Sequence, residues 1–130
     1  MANRKILIDT NIFLEILLNQ QKASICISYL QTNRQFSCIT DFSLHSIGLL
    51  CNKRKLDSAF IMFLNDVLPS LSVLSIEPLK LFEVIKQTQL TNLDFDDSYQ
   101  YLVALQNNLE IATLDQDFKK VQNQIKVHFL

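Results

Sequence analysis

Glycine and proline are scarce in this chain, which has one glycine and two prolines in 130 residues. Gly48 falls within a helical pattern, so the chain has no glycine-rich phosphate loop, and P-loop and Rossmann-type nucleotide binding are excluded. An all-β sandwich is also disfavoured, because such folds need turn residues at short intervals.

Cysteine is rare and lacks the spacing of a metal site. Cys26, Cys38 and Cys51 are odd in number and form no Cys-x-x-Cys pair, so we expect reduced, partly buried thiols. The apolar stretch at residues 6–18 is interrupted by Asp9, Asn11 and Glu15, unlike a secretory leader or a membrane span. These features predict a cytoplasmic protein with no membrane segment.

The chain shows no excess of charge of either sign, with a formal net charge of −1. Sequence-independent nucleic-acid binders are usually basic, so we expect any RNA contact to come from local basic patches. The candidates are Lys53-Arg54-Lys55, Lys119-Lys120, Arg4-Lys5 and Arg34. A solvated helix end explains each patch equally well.

Apolar residues make up 48% of the chain and charged residues 19%, which is a globular composition. The length predicts a single domain spanning residues 1–130. Apolar patterning predicts strands at 5–8, 36–39, 72–76, 110–114 and 125–130, with helical segments between them. Strands that alternate with helices predict an α/β fold with a mostly parallel sheet of four to five strands between helical layers.

Carboxylates follow two of the predicted strands. Asp9 comes directly after the first strand and Asp115 directly after the fourth, while Asp94 and Asp97 open the helix before that fourth strand. Each acid alone is explained by helix N-capping. If the two strands are neighbours, however, the acids meet in the crevice at the carboxyl ends of the strands. Such a cluster favours a divalent cation with oxygen ligands, such as Mg²⁺ or Mn²⁺.

Three motifs carry a family resemblance. ILIDTNIFL at residues 6–14 resembles the opening of PIN-domain proteins, and LDFDDSYQ at 93–100 is similar to a later helix start in that family. IATLDQDF at 111–118 resembles the family's Thr-x-Asp-x-Asp-Phe ending. The motifs occur in the expected order and spacing, so the resemblance covers nearly the whole chain.

The resemblance implies a three-layer α/β/α fold and a metal-dependent endoribonuclease that uses Mg²⁺ or Mn²⁺. The family is best known from VapC-like toxins of toxin–antitoxin pairs, which usually form homodimers. The catalytic, metal-binding acids that the resemblance implies are Asp9, Asp97 and Asp115. It adds Asp117 as a more peripheral metal-binding acid, and the expected supporting residues are Thr10, Asn11, Ser46 and Asp94.

One position departs from the family pattern. PIN domains usually carry a glutamate on the helix after the second strand, and here Ser46 occupies that position. A serine hydroxyl is short and neutral, so it does not replace a carboxylate. His45 is adjacent, but it points about 100° away on a helix and is expected to be a packed or surface residue.

The residues leave other functions open. Ser46 and the near-neutral charge are compatible with a PIN-fold module that binds RNA or a protein without turnover. A flavodoxin-like receiver domain also gathers acids at strand ends, but the strand at 72–76 ends in Glu77-Pro78 rather than in a phosphorylatable aspartate. The helical region 42–68 is unusually apolar, and its predicted helix at 42–50 reads as mostly buried. A second copy or an antitoxin segment would cover the surplus apolar surface.

Overall fold

The computed structural model describes residues 5–130, so Arg4 of the predicted basic pair Arg4-Lys5 lies outside the described residues. Within the described range, five strands form the sheet: β1 (Ile6–Ile8), β2 (Ser37–Thr40), β3 (Ser72–Leu74), β4 (Glu110–Thr113) and β5 (Val127–Phe129). Six α-helices of the same residues surround it: α1 (Thr10–Leu17), α2 (Ala23–Thr32), α3 (Asp41–Lys53), α4 (Asp57–Asp66), α5 (Leu81–Thr91) and α6 (Phe95–Asn107). Short 3-10 helices span Arg34–Phe36, Leu68–Ser70, Pro78–Lys80 and Gln116–Val121.

The strands are ordered β3-β2-β1-β4-β5, and every neighbouring pair is parallel. This confirms the predicted three-layer fold, and all five strands are parallel. β1 and β4 are neighbours, with Ile8 opposite Ala112. The order also differs from the 2-1-3-4-5 order of flavodoxin-like receivers, so that alternative was wrong.

Alternating side chains divide the core between the two faces of the sheet. Leu7, Cys38 and Ile111 face one cluster, which includes the buried side chains of α5 and α6. Ile8, Ile39 and other residues of opposite parity face a second cluster with α1 to α4. Because successive strand residues point to opposite faces, these short buried strands hold both helical layers.

Asparagine terminates helices in this glycine-poor chain. α5 ends at Asn92 with φ of 62°, and α6 ends at Asn108 with φ of 54°. This left-handed conformation is one that asparagine tolerates better than most residues, so it fills the position that glycine commonly takes. The single glycine serves packing instead, because a Cβ at Gly48 would lie 2.9 Å from Cζ of Phe60 on α4.

The expectation of a mostly buried helix at 42–50 was wrong. In α3 only Ser43, Ile47 and Cys51 are buried, while Leu49 is 60% exposed. The helix packs one face against the sheet and α4, and its other face lies at the surface. All three cysteines are buried and free, as expected. In the part of the chain that the structure describes, no helix is long and apolar enough to cross a membrane.

Candidate metal centre

Asp9 lies at the carboxyl end of β1, where its backbone N–H donates to the carbonyl of Ala112 at 2.9 Å. It is 4% exposed. Although it occupies the N-cap position of α1, its side chain makes no capping hydrogen bond. Instead Nε2 of Gln100 donates to Oδ1 at 2.7 Å, and Oγ1 of Thr113 donates to Oδ2 at 2.6 Å. Helix capping therefore does not explain this carboxylate.

Asp97 is held at the start of α6. Its backbone N–H donates to Oδ1 of Asp94 at 3.0 Å, so Asp94 caps the helix, and Asp97 is 7% exposed. Gln100 follows three residues later and therefore shares a face of the helix with Asp97. Since Gln100 contacts Asp9, this face of α6 is turned towards the carboxyl end of β1.

Asp115 follows β4 and caps the next 3-10 helix. Its Oδ1 accepts a hydrogen bond from the backbone N–H of Asp117 at 2.8 Å, while its own N–H donates to Oγ1 of Thr113 at 2.8 Å. Asp115 is half-buried and Asp117 is exposed. The capping alternative thus describes Asp94 and Asp115, but it does not account for Asp9.

Three carboxylates form a compact group. Oxygens of Asp97, Asp115 and Asp117 all lie within 4.8 Å of one another. Asp9 is outside this group of three, with one neutral donor on each of its two oxygens. The acids brought together thus come from α6 and the segment after β4, and Asp9 lies beside them at the end of β1.

The electrostatics show that these charges interact. Burial, and to a smaller extent the charges of Asp9, Asp94, Asp115 and Asp96, together raise the pKa of Asp97 to about 8. Burial and, to a smaller extent, the charge of Asp115 raise the pKa of Asp9 against the opposing hydrogen bonds. Within residues 5–130, no lysine or arginine forms a salt bridge with these acids. The acids of the site are therefore not paired with a basic side chain in the described part of the chain.

The predicted supporting residues Thr10 and Asn11 form hydrogen bonds to the elements around the site. Oγ1 of Thr10 donates to Oγ of Ser43 at 2.7 Å, and Oδ1 of Asn11 accepts from the N–H of Leu114 at 3.3 Å. The first contact joins α1 to α3, and the second fixes the chain just before Asp115. The side-chain hydrogen bonds of both residues thus go to neighbouring elements.

Ser46 lies on α3, the helix that follows β2. It is half-buried and lines a cavity of about 330 Å³ together with Asp41, Phe42, His45, Leu49 and Tyr99. None of the four predicted metal-binding acids lines this cavity. His45 is exposed, in agreement with the expectation for it.

Sequence reasoning missed Gln100 and Thr113, the two donors to Asp9. Thr113 belongs to the quoted motif and precedes Asp115 by two residues, which places the two on one side of an extended segment. Gln100 follows Asp97 at helical spacing. Both spacings were visible, but the partner of each side chain depends on the packing of α6 and β4 against β1.

The fold and the acids define a parallel α/β protein with an acidic site at the carboxyl edge of its sheet. The sequence model of the PIN domain matches residues 6–124, and the chain belongs to the PIN domain family. No curated protein sequence matched the chain.

Solved structures share this fold. A toxin–antitoxin complex from Klebsiella pneumoniae matches with a TM-score of 0.72 at 18% identity, covering 95% of both chains. FitAcB from Neisseria gonorrhoeae matches with a TM-score of 0.68 at 19% identity, covering 95% of this chain and 96% of the other. VapBC2 from Rickettsia felis, bound to a promoter DNA fragment, matches with a TM-score of 0.71 at 16% identity, covering 95% and 97%.

Proposed function

We propose that this protein is an endoribonuclease of the PIN type that requires Mg²⁺ or Mn²⁺ and serves as the toxin of a toxin–antitoxin pair. The observation that carries the proposal is the group of three carboxylates within 4.8 Å, with buried Asp9 beside it. The individual roles of the acids are part of the proposal.

The residues present suit a hard divalent cation. All donors in the group are carboxylate oxygens, which Mg²⁺ and Mn²⁺ prefer over the nitrogen and sulfur ligands typical of zinc. Burial and the neighbouring acids raise the pKa of Asp97 to about 8, because a further negative charge is unfavourable there without a compensating cation. Asp97, Asp115 and Asp117 would hold the ion, with Asp9 as the fourth carboxylate. When bound, such an ion supplies an activated water and stabilises charge on a phosphodiester.

The chain's own groups prepare the site. The Asp94 cap fixes the first turn of α6 and therefore the position of Asp97. The Thr113 hydroxyl fixes Asp9 on one side and the backbone of Asp115 on the other. Exposed Asp117 lies at the outer side of the group, where a polymer substrate has access.

Lys119 and Lys120 are close to the acids in sequence, in the 3-10 helix that follows Asp115. Nζ of Lys120 donates to the carbonyl of Asn92, two residues before Asp94, so it lies beside the acidic edge. Lys53-Arg54-Lys55 lies at the far end of α3, which starts at the carboxyl edge of the sheet and runs back from it. We therefore assign phosphate contacts to Lys119 and Lys120.

An apolar groove between α2 and α4 supports the proposal of an antitoxin partner. Two adjoining cavities of about 320 and 220 Å³ share Ile16, Leu30, Asp66 and Val67. Phe13, Phe63 and the 63%-exposed Met62 extend the apolar lining. A groove of this kind accepts the apolar face of an amphipathic helix. Because a similar fold occurs in toxin–antitoxin complexes, we assign the groove to an antitoxin segment.

Ser46 favours a second candidate function, a PIN module that binds RNA or a protein without turnover. A neutral hydroxyl at the position of the usual glutamate lowers the number of carboxylates available to an ion. This candidate predicts RNA binding without Mn²⁺-dependent cleavage. The resemblance also implies that the protein forms a homodimer. This stays a prediction, and a sedimentation measurement of the molar mass in solution tests it.

The direct test is cleavage of a structured RNA with and without Mn²⁺. Wild type is expected to cleave, and so is the control variant Asp57→Asn, which changes an exposed acid of α4. Asp97→Asn is expected to cleave at least a hundredfold more slowly, which is the usual cost of removing a group that stabilises charge in the transition state. RNA binding without cleavage by wild type at any metal concentration would support the non-catalytic module instead. Equal cleavage rates for wild type and Asp97→Asn would show that the Asp97 carboxylate takes no part in cleavage.

A further inference from the structure

Gln100 is a buried amide that uses only one of its two ends. It is 3% exposed, and Nε2 donates to Oδ1 of Asp9 at 2.7 Å. Its Oε1 is buried and has no hydrogen-bond partner among the described residues. Buried side-chain amides normally form hydrogen bonds through both the N–H and the carbonyl group, so a buried glutamine with an unpaired carbonyl requires an explanation.

We infer that Gln100 is a positioning residue for Asp9, a role that rests on the proposed metal site. Its N–H and the Thr113 hydroxyl place one donor on each oxygen of the Asp9 carboxylate, which fixes the orientation of that group. Each oxygen accepts a further interaction, because an ionised carboxylate has about four lone-pair sites.

The neutrality of both donors matters for a cation site. An amide and a hydroxyl orient a carboxylate without cancelling its charge, whereas a lysine or arginine would compensate the charge and compete with a metal ion. Asp9 therefore keeps its full attraction for a divalent ion while its rotation is restricted. In Gln100→Lys, the ammonium group is expected to pair with Asp9 and so compensate the negative charge of its carboxylate.

Gln100 also connects two elements of the site. It lies three residues after Asp97 on the same face of α6, and its partner Asp9 belongs to the end of β1. Loss of this hydrogen bond frees the Asp9 carboxylate and removes a direct tie between β1 and the helix that carries Asp97. Asp97, Asp115 and Asp117 stay in place, so weak metal binding is expected to persist.

The test compares Mn²⁺ affinity, measured by electron paramagnetic resonance titration, with thermal unfolding of the metal-free protein. Gln100→Met keeps the length of the side chain but removes both polar ends, and it is expected to weaken Mn²⁺ binding about tenfold, as loss of groups supporting metal ligands does. Gln106→Met, on an exposed position of the same helix, serves as the matched control and is expected to change neither quantity. Gln100→Lys is expected to abolish Mn²⁺ binding while the protein stays folded.

The Asp9→Asn background separates positioning from a general effect on the fold. Because Gln100 acts through Asp9, adding Gln100→Met to Asp9→Asn is expected to leave Mn²⁺ affinity unchanged. Wild-type affinity in Gln100→Met, or loss of folding in that variant without metal, would overturn the inference and leave the proposed function standing. Failure of the wild type to bind Mn²⁺ would overturn both.

Discussion

The hydroxyl of Thr113 donates to Oδ2 of Asp9 at 2.6 Å, although 104 residues separate the two in sequence. The hydroxyl oxygen of Thr113 also accepts a hydrogen bond from the backbone N–H of Asp115 at 2.8 Å. One side chain at the end of β4 therefore orients the acid of β1 and positions the acid that follows its own strand. This contact depends on the parallel pairing of β1 with β4.

Removal of that hydroxyl is expected to affect both stability and metal binding. Thr113→Val keeps the shape of the buried side chain but leaves Asp9 with one donor, and a lost partner of a buried polar group costs about 1–3 kcal/mol. We expect a loss of that size in urea unfolding and about tenfold weaker Mn²⁺ binding. Thr113→Ser retains the hydroxyl and serves as the control. Equal stability of the valine and serine variants would show that the hydrogen bond contributes nothing.

The raised pKa of Asp97 predicts that the metal-free protein loses stability as pH rises. The ordinary pKa of this carboxyl is 3.8, and in the folded protein burial and neighbouring acids raise it to about 8. Between these values the folded state holds a proton that the unfolded state has released, so the free energy of unfolding falls with increasing pH. The shift of Asp9 has the same direction and adds to the slope. Urea unfolding in the presence of a chelator, measured from pH 4 to pH 8, gives this dependence.

The matched variants for this experiment are Asp97→Asn and Asp57→Asn. The first removes the Asp97 carboxyl and is expected to reduce the slope to the part that Asp9 contributes, while the second changes an exposed acid and is expected to preserve the slope. An undiminished slope in Asp97→Asn would assign the effect to other groups.

The serine at position 46 predicts that a single substitution can raise the affinity for Mn²⁺. Ser46→Glu restores the carboxylate that PIN domains usually carry there, and we expect about tenfold tighter Mn²⁺ binding. His45→Glu places the same charge about 100° around α3 and is expected to change the affinity little. If both glutamates strengthen binding equally, the gain reflects general charge rather than a ligand position.

The groove between α2 and α4 is the proposed antitoxin site, and a change there is expected to leave metal binding intact. Met62→Lys places a charge in the apolar lining and is expected to weaken binding of the proposed antitoxin by at least tenfold. Ile61→Lys changes an adjacent residue that is 57% exposed and does not line the groove, so it is the matched control. Both variants are expected to bind Mn²⁺ as wild type does. Unchanged partner affinity in Met62→Lys would place the partner elsewhere.

The sequence predicted the fold because its local signals agree. The buried strand before Asp9, the alternation of strands with helices and the cap at Thr40 each specify an element with little help from distant residues. The exposed fraction of individual helical side chains was less predictable from the sequence. The apolar run around Leu49 suggested burial, but a helix on the surface of a small domain has only one face to bury.

The candidate site could be predicted only as far as spacing along the chain allows. Asp9 and Asp115 follow strands, which places them at one edge of a parallel sheet, and the three motifs of the resemblance named the same acids. The pairing of Gln100 and Thr113 with Asp9 could not be predicted, because each contact spans more than 90 residues. Such contacts depend on how α6 and β4 pack against β1.

Mn²⁺ titration monitored by electron paramagnetic resonance tests the central claim that acids from distant segments hold one divalent ion. Wild type and Asp57→Asn are expected to bind with equal affinity, and Asp115→Asn, which removes one of the three carboxylates within 4.8 Å, is expected to weaken binding at least tenfold. Equal affinity in all three proteins, or no binding by wild type, would contradict the account.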